Sequence, residues 1–472
     1  MQSGLIQIAP QRAPHPMPTA PTVSFHTFGC RLNQSESASL ASAFVRSGYA
    51  VMEDARAEIV ILQTCSVTDT AEADCRRLIR KILRERPGTF IAVTGCYAQV
   101  GLETLRKIPG IDLIAGTEHK MSLPDRVREV IAFGPVVKRA SPLIFHTPKI
   151  SRADFTVDHY AAFDHAARPN IKIQDGCDFF CAFCIIPTTR GRERSRKISD
   201  VLLEASIWVE QGRREITLTG VNLGAYRSDG HDLPDLIEAL SAIQGLRRIR
   251  ISSIEPTTVS PRLIRQMAQP DGKLCPHLHL PLQSGSNTVL AAMGRKYTRE
   301  NYTALVCEAV STVPHLGLGT DVMVGFPGEG EAEFEETQSL LQSLPFSYLH
   351  VFPFSERKGT RVMRRSGLSR VPSSVIKKRS EGLRAMSEQL RMAFYKKNLG
   401  RRVGVLFERS TDSGLCTGLT SNYLRVGVRS DENLAGQMGE VILEQVEQRQ
   451  VIGRRVMPCD DRHASRACSS NG

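Results

Sequence analysis

The sequence predicts an α/β chain in three parts: a small N-terminal parallel-sheet domain, a central partial (β/α)6 barrel of TIM type, and a small C-terminal β-barrel. Three observations predict it. Apolar strand-like runs alternate with helical stretches over 23–125 and again over 166–398. A polar, irregular connector over 126–165 parts the two runs. After Leu399-Gly400 the pattern changes to short strands with Gly and Asn turns, spanning 401–456. At roughly 150 residues per domain, a chain of 472 suits about three domains.

The elements follow in order. Residues 1–22 are Pro-rich and lack the charged-then-apolar order of a secretory signal, so they read as a disordered leader. VSFHTFG, EIVILQTCS and TFIAVTGCY read as buried strands, each ending near a cysteine. SESASLASAFVRSG and TAEADCRRLIRKILRERPG read as helices, the second stopping at Pro87-Gly88. In a parallel sheet, ligands collect at the carboxyl ends of strands. Cys30, Cys65 and Cys96 are therefore expected to converge there. In the central part NIKIQDG, EITLTGV, RRIRISSI, HLHLPLQ, GLGTDVMVGF and FSYLHVFPF are strand candidates, with helices such as SDVLLEASIWVEQG between them. Residues 373–398 read as one amphipathic helix, apolar at Ile376, Leu383, Met386, Leu390 and Phe394. Residues 457–472 read as a loose tail.

Apolar residues make up 41% and charged residues 23%, and no apolar run approaches the roughly 18 residues that span a bilayer. A cytoplasmic protein without a membrane partner is expected. The net charge of +12 permits a polyanionic partner. Between Arg361 and Arg402, 13 Lys and Arg face only Glu381 and Glu388, whereas 401–455 holds 8 basic and 7 acidic residues. Phosphate contacts are therefore expected from Lys377, Lys378, Arg379, Arg401 and Arg402.

Twelve cysteines in such a chain argue for metal or redox chemistry rather than disulfides. Cys75, Cys275, Cys307, Cys416, Cys459 and Cys468 lack any shared context and read as buried or incidental thiols. Cys177, Cys181 and Cys184 are clustered as C-x3-C-x2-C in QDGCDFFCAFCIIPTTRGRERSR. A structural zinc site needs four ligands, and no further Cys or His follows at the usual spacing. A thiolate set short by one ligand suits a 4Fe–4S cluster with an open iron.

This spacing resembles the radical S-adenosylmethionine superfamily. The resemblance implies that Cys177, Cys181 and Cys184 hold the cluster that cleaves the cofactor to a 5′-deoxyadenosyl radical. It further implies a cofactor pocket formed by Phe183, by Thr219, Gly220 and Asn222 in TLTGVNLGAY, and by Glu255 in SSIEP. Gln283 and Ser284 in LPLQSGS, with Asp321 and Gly325 in DVMVGFPGE, align with further pocket strands. Cys30 in TFGCRLNQSES, Cys65 in ILQTCSVTDTAE and Cys96 in AVTGCYAQ resemble the three N-terminal cysteines of the methylthiotransferase family, a likeness running from about residue 23 to 456. That implies an auxiliary 4Fe–4S cluster carrying the sulfur, S-adenosyl-L-methionine used as both methyl donor and radical source, and a TRAM/OB-like RNA-binding C-terminal barrel. Arg31-Leu32-Asn33-Gln34 is similar to the branch that methylthiolates C2 of N6-threonylcarbamoyladenosine at position 37 of tRNA, although Asn222 stands where that branch often has His. The implied partners are the tRNA anticodon loop, a low-potential electron donor and a sulfur donor. The alternatives are a methylthiotransferase for isopentenyladenosine or for a ribosomal-protein aspartate, and a non-catalytic RNA-binding iron or zinc protein.

Overall fold

The structure, a computed structural model, describes residues 20–53, 56–131, 138–150, 155, 166–364, 367–411 and 414–456. Nearly all of the expected leader and the whole expected tail lie outside them.

Three long apolar runs become the core of the N-terminal sheet because both faces of that sheet are covered. Strands Thr22–Thr27, Ile59–Thr64 and Phe90–Gly95 are flanked by Ala50–Val51 on one side and by Leu113–Ala115 and Leu143–Phe145 on the other. All pair in parallel. Ile59, Ile61, Phe90 and Ala92 pack on one face with Leu40 and Phe44 of helix Arg31–Arg46. Val60, Leu62, Ile91 and Val93 pack on the other with Ile79 and Ile82 of helix Asp69–Glu85. The chain therefore leaves strands Thr22–Thr27 and Ile59–Thr64 toward opposite faces. The crevice between their ends is the topological switch point where such sheets bind ligands. The expected connector adds to this sheet, since Leu143–Phe145 is its sixth strand.

Six parallel strands form the central partial barrel, as the sequence predicts: Asn170–Lys172, Glu215–Thr219, Arg248–Ile251, His277–His279, Gly317–Val324 and Tyr348–Pro353. A bridge from Ile249 to Leu274 joins the two three-stranded halves. Side chains alternate along each strand. Ile216, Leu218, Ile249, Ile251, Leu278 and Leu318 enter the apolar core with the helices. The intervening positions are polar and line the lumen: Glu215, Arg248, Arg250, His277, His279 and Asp321.

Strands Arg402–Ser410, Leu415–Thr420, Arg425–Arg429, Met438–Glu447 and Gln450–Arg455 close the C-terminal barrel. It is seated on the lumen by buried charge. Fully buried Glu215 accepts from Arg250 Nε at 2.9 Å, and Arg250 donates onward to the carbonyls of Thr420 and Ser421 at 3.0 Å each. Arg248 donates to the Gly404 carbonyl at 2.7 Å. Tyr423 then stacks on His277, with ring centroids 4.5 Å apart, and accepts a 2.7 Å hydrogen bond from Arg31 beside Cys30. One side chain of the C-terminal barrel thus touches both other domains. Tyr423→Phe removes that charge-assisted bond and is expected to cost about 1.5 kcal/mol in thermal unfolding.

Among the described residues no helix is long and apolar enough to cross a membrane.

Candidate active site

Each N-terminal cysteine follows a strand of the doubly covered sheet. Cys30 caps helix Arg31–Arg46, Cys65 follows Ile59–Thr64, and Cys96 opens a short helix after Phe90–Gly95. The switch point therefore gathers all three, as the strand ends predict. Asn33 fixes the crevice by donating to the Phe28 and Thr64 carbonyls at 2.7 and 3.1 Å. Burial above all, with smaller upward contributions from nearby Cys96 and Cys30, pushes the Cys65 thiol up to about 11.

The second trio lies on the loop after the first barrel strands. Gly176 starts it at φ +70, where a Cβ would come within 1.9 Å of the Arg192 carbonyl, so only glycine fits. Ala182 N–H bonds the Met293 carbonyl at 2.7 Å and its own carbonyl accepts from Val362 N–H at 2.8 Å, pinning the loop from both sides. Burial raises Cys177 to about 11 and Cys184 to about 12, with Cys181 adding to both. Backbone N–H groups of Val67 and Phe179 point at the sulfurs of Cys65 and Cys177, each at 3.5 Å. Such donors favour a thiolate over a thiol.

The donor sets decide what the trios can hold. Among the described residues neither trio brings three sulfurs within 4.8 Å of one another. A single tetrahedral ion with ~2.3 Å Zn–S bonds needs sulfur edges of about 3.8 Å. Three thiolates spread more widely than that fit a polynuclear iron–sulfur cluster with one position left to a non-protein ligand. Disulfides are absent among the described cysteines. Cys75, Cys275 and Cys416 are buried single thiols, Cys307 is exposed, and Cys459 and Cys468 lie outside the described residues.

A buried charge network joins the trios. Arg190, 1% exposed, stands on a short helix just past Cys184 that packs on the helix opened by Cys96. It donates to Glu36 at 2.9 Å, to Asn33 at 2.7 Å and to Asp175 at 3.1 Å. Lys172 donates to Glu36 at 2.8 Å and to Asp175 at 2.6 Å, and Lys120 pairs with Glu36 as well. Burial alone would raise the Glu36 carboxyl, yet Arg190, Lys120 and Lys172 hold it well below the usual range. On the other side Arg357, beyond the last barrel strand, binds Asp69 and Glu72 at 2.9 Å each. The N-terminal domain thus bridges the two ends of the partial barrel.

The expected cofactor-pocket residues fall at the strand ends, with mixed surroundings. Thr219 ends its strand, and Gly220 lies over Gln174, whose Oε1 accepts from Val221 and Asn222 N–H at 2.9 and 2.8 Å. Asn222 is buried with its Nδ2 unpartnered among the described residues. Phe183 lies edge-on to Phe326 at 6.5 Å. Glu255 accepts from Arg295 at 2.6 and 2.7 Å, and Arg295 also donates to Cys181 Sγ at 3.2 Å. Gln283 adopts φ +69 and bridges the Gly317–Val324 strand through the Asp321 carbonyl and Met323 N–H. Ser284 is turned to Thr337 at 3.2 Å and away from the lumen. Asp321 accepts from His279 Nε2 at 2.8 Å and lies 3.4 Å from His350 Nδ1. Tyr348 links His279 to His277 at 3.1 and 3.0 Å, which continues the polar chain down the lumen. Gly325 has φ +81, packs under Ile376, and donates its N–H to Glu329 at 3.0 Å.

The basic stretch divides. Lys377 and Lys378 are exposed, but Arg379 is 7% exposed and bound to Glu329 and Glu331 at 2.7 Å each. It braces the Gly325 turn through Glu329 and offers nothing to an outside phosphate. Arg402 pairs with Glu440, and Arg401 donates to Asn398 at 2.5 Å. Sequence reading missed Glu36, Arg190, Arg295 and the two histidines, His279 and His350, that face the expected Asp321. For Arg190 the available signal was the RGRERSR run directly after the trio.

Two family profiles match the chain: the Radical SAM superfamily over 171–341 and Uncharacterized protein family UPF0004 over 22–116. The chain is 35% identical over 432 residues to the threonylcarbamoyladenosine tRNA methylthiotransferase MtaB of Bacillus subtilis, covering 89% of this chain and 93% of that protein. It is 36% identical over 424 residues to the tRNA-2-methylthio-N(6)-dimethylallyladenosine synthase of Cereibacter sphaeroides, covering 88% and 93%. The radical S-adenosylmethionine methyltransferase TsrM of Kitasatospora setae shares the fold at TM-score 0.50 and 14% identity, over 71% of this chain and 75% of that one. With its barrel matched to one family, its first domain to the other, and such relatives aligned over most of its length, the chain belongs to the radical S-adenosylmethionine tRNA methylthiotransferases.

Proposed function

We propose that this enzyme methylthiolates C2 of N6-threonylcarbamoyladenosine at position 37 of tRNA. The observation that carries the substrate is the 33–35% identity to three methylthiotransferases named for threonylcarbamoyladenosine. The Arg31–Gln34 motif agrees with it. The competing substrate is a dimethylallyl-type adenosine, favoured by relatives of the same reach at 33–36% identity.

In this reading Cys177, Cys181 and Cys184 hold the radical-generating 4Fe–4S cluster, and Cys30, Cys65 and Cys96 hold the auxiliary one. When bound, such clusters supply the electron that cleaves S-adenosyl-L-methionine and the sulfur to be transferred. The chain's own groups orient and enclose. Arg295 ties Cys181 to Glu255 and so sets the radical site against the barrel mouth. Asn222 Nδ2 is a spare buried donor for the cofactor. Glu36, Arg190 and Asp175 hold the two cysteine loops in one register and keep water from between them. The reading places the protein in the cytoplasm, with tRNA.

Anaerobically reconstituted enzyme, given anticodon stem–loops bearing either modified adenosine, tests the substrate. The expected result is 2-methylthio product from the threonylcarbamoyl RNA at least tenfold faster; equal rates or the reverse preference would refute it. Separately, Lys377→Glu with Lys378→Glu is expected to weaken tRNA binding severalfold and to lower the salt slope by about one to two. Arg379→Gln is expected to act through stability instead, lowering the unfolding midpoint.

A further inference from the structure

A cavity of about 420 Å³ lies where the last barrel strand, the Ser373–Lys397 helix and the C-terminal barrel meet. Its lining includes Arg168, Arg391, Arg425 and Arg449, with the rings of Phe394 and Tyr423 between them. Three carboxylates answer three of these cations: Glu408 at 2.7 Å and Glu215 at 3.9 Å face Arg168, and Glu388 binds Arg391 at 3.0 Å and Arg449 at 3.1 Å. Arg391 and Arg449 share a single carboxylate. Arg425 is exposed and bonds no carboxylate among the described residues.

The position of the cavity matters as much as its charge. Tyr348 and His350 form one wall, and both belong to the polar chain that runs up the lumen to Asp321. Arg168, just before the first barrel strand, also lines it, so the cavity borders both the first and the last strands of the partial barrel. A chain bound there lies between the C-terminal barrel and the lumen. Guanidinium groups matched to phosphate, set beside aromatic rings, are the chemistry that binds one unpaired nucleotide. A helical duplex is too wide to enter a cavity of this size.

We propose that this cavity is a nucleotide subsite that takes a phosphodiester and base of single-stranded RNA flanking the modified adenosine. The assignment rests on the tRNA reading above, and it adds Arg425 to the exposed lysines of the long helix as a phosphate contact. The Phe394 ring takes the unstacked base while Arg425, with Arg391 beside it, takes its phosphate.

Anisotropy titration of the reconstituted enzyme with a labelled anticodon stem–loop, across a salt series, tests it. Arg425→Glu is expected to weaken binding roughly tenfold and to lower the salt slope by about one, with Arg425→Lys recovering most of the affinity. Phe394→Ala is expected to weaken binding severalfold without changing the slope, because stacking carries no counterion release. Iron content and the thermal midpoint confirm that each variant is folded. Wild-type affinity and slope in Arg425→Glu overturn the subsite. Equal losses for the stem–loop and for a blunt RNA duplex also overturn it, since they mean a general polyanion surface. A wild-type enzyme that fails to bind the stem–loop overturns the tRNA reading and the subsite with it.

Discussion

Joint replacement of Cys30, Cys65 and Cys96 by alanine is expected to remove roughly half of the bound iron and all methylthio product, while 5′-deoxyadenosine is still released. The fold separates the two sites physically. One trio sits at the switch point of the N-terminal sheet, and the other on a loop anchored within the barrel by Met293 and Val362. In the proposed assignment neither trio borrows a ligand from the other, so each site is expected to load independently. The mirror variant, with Cys177, Cys181 and Cys184 replaced, is expected to lose both 5′-deoxyadenosine and product while keeping the other half of the iron. Iron analysis, low-temperature electron paramagnetic resonance and mass spectrometry of products read the three quantities. Full iron retention in either triple variant is the outcome that sinks the two-site assignment.

The second large effect belongs to Arg190. Arg190→Met is expected to destabilise the protein by about 3–5 kcal/mol, because it leaves buried carboxylates short of a partner. Glu36 and Asp175 lose their shared guanidinium, and Asn33 loses the donor on its amide oxygen. Lys120 and Lys172 remain, which keeps the loss from exceeding that range. The pH dependence follows from the sign of the shifts. Both carboxyls lie below their ordinary values, 4.5 for Glu36 and 3.8 for Asp175. Their stabilisation is complete above about pH 4.5 and fades as pH falls through the lowered folded values. The variant is therefore expected to show a flatter acid limb in urea unfolding than the parent. An unchanged midpoint at neutral pH would show that the network does not hold the domains together.

The fold was legible where burial is two-sided. Ile59–Thr64 and Phe90–Gly95 are buried at every position, so their continuous apolar runs announce them. Ala50–Val51 and Leu143–Phe145 span two and three partly exposed residues, too short for any period to emerge, and the sixth strand was read as connector. The gathering of the cysteines was legible because C-x3-C-x2-C is compact in sequence and Cys30, Cys65 and Cys96 each follow a strand. The network between them was not. Glu36 and Arg190 stand 154 positions apart, and a charged side chain read alone belongs in solvent. Arg379 failed for a related reason. It follows two exposed lysines, yet helical periodicity sets it in line with buried Leu383 and Ser387. The ion pair with Glu329 becomes visible only once the long helix is packed on the partial barrel.

The most direct test of the central claim is mass spectrometry of tRNA nucleosides from cells with and without this protein. Deletion is expected to abolish 2-methylthio-N6-threonylcarbamoyladenosine, to leave its unmethylthiolated precursor in its place, and to be reversed by the wild-type chain but not by the Cys30, Cys65, Cys96 variant. Persistence of that nucleoside in a deletion strain with no second such enzyme, or loss of a dimethylallyl-type nucleoside in its stead, would contradict the account.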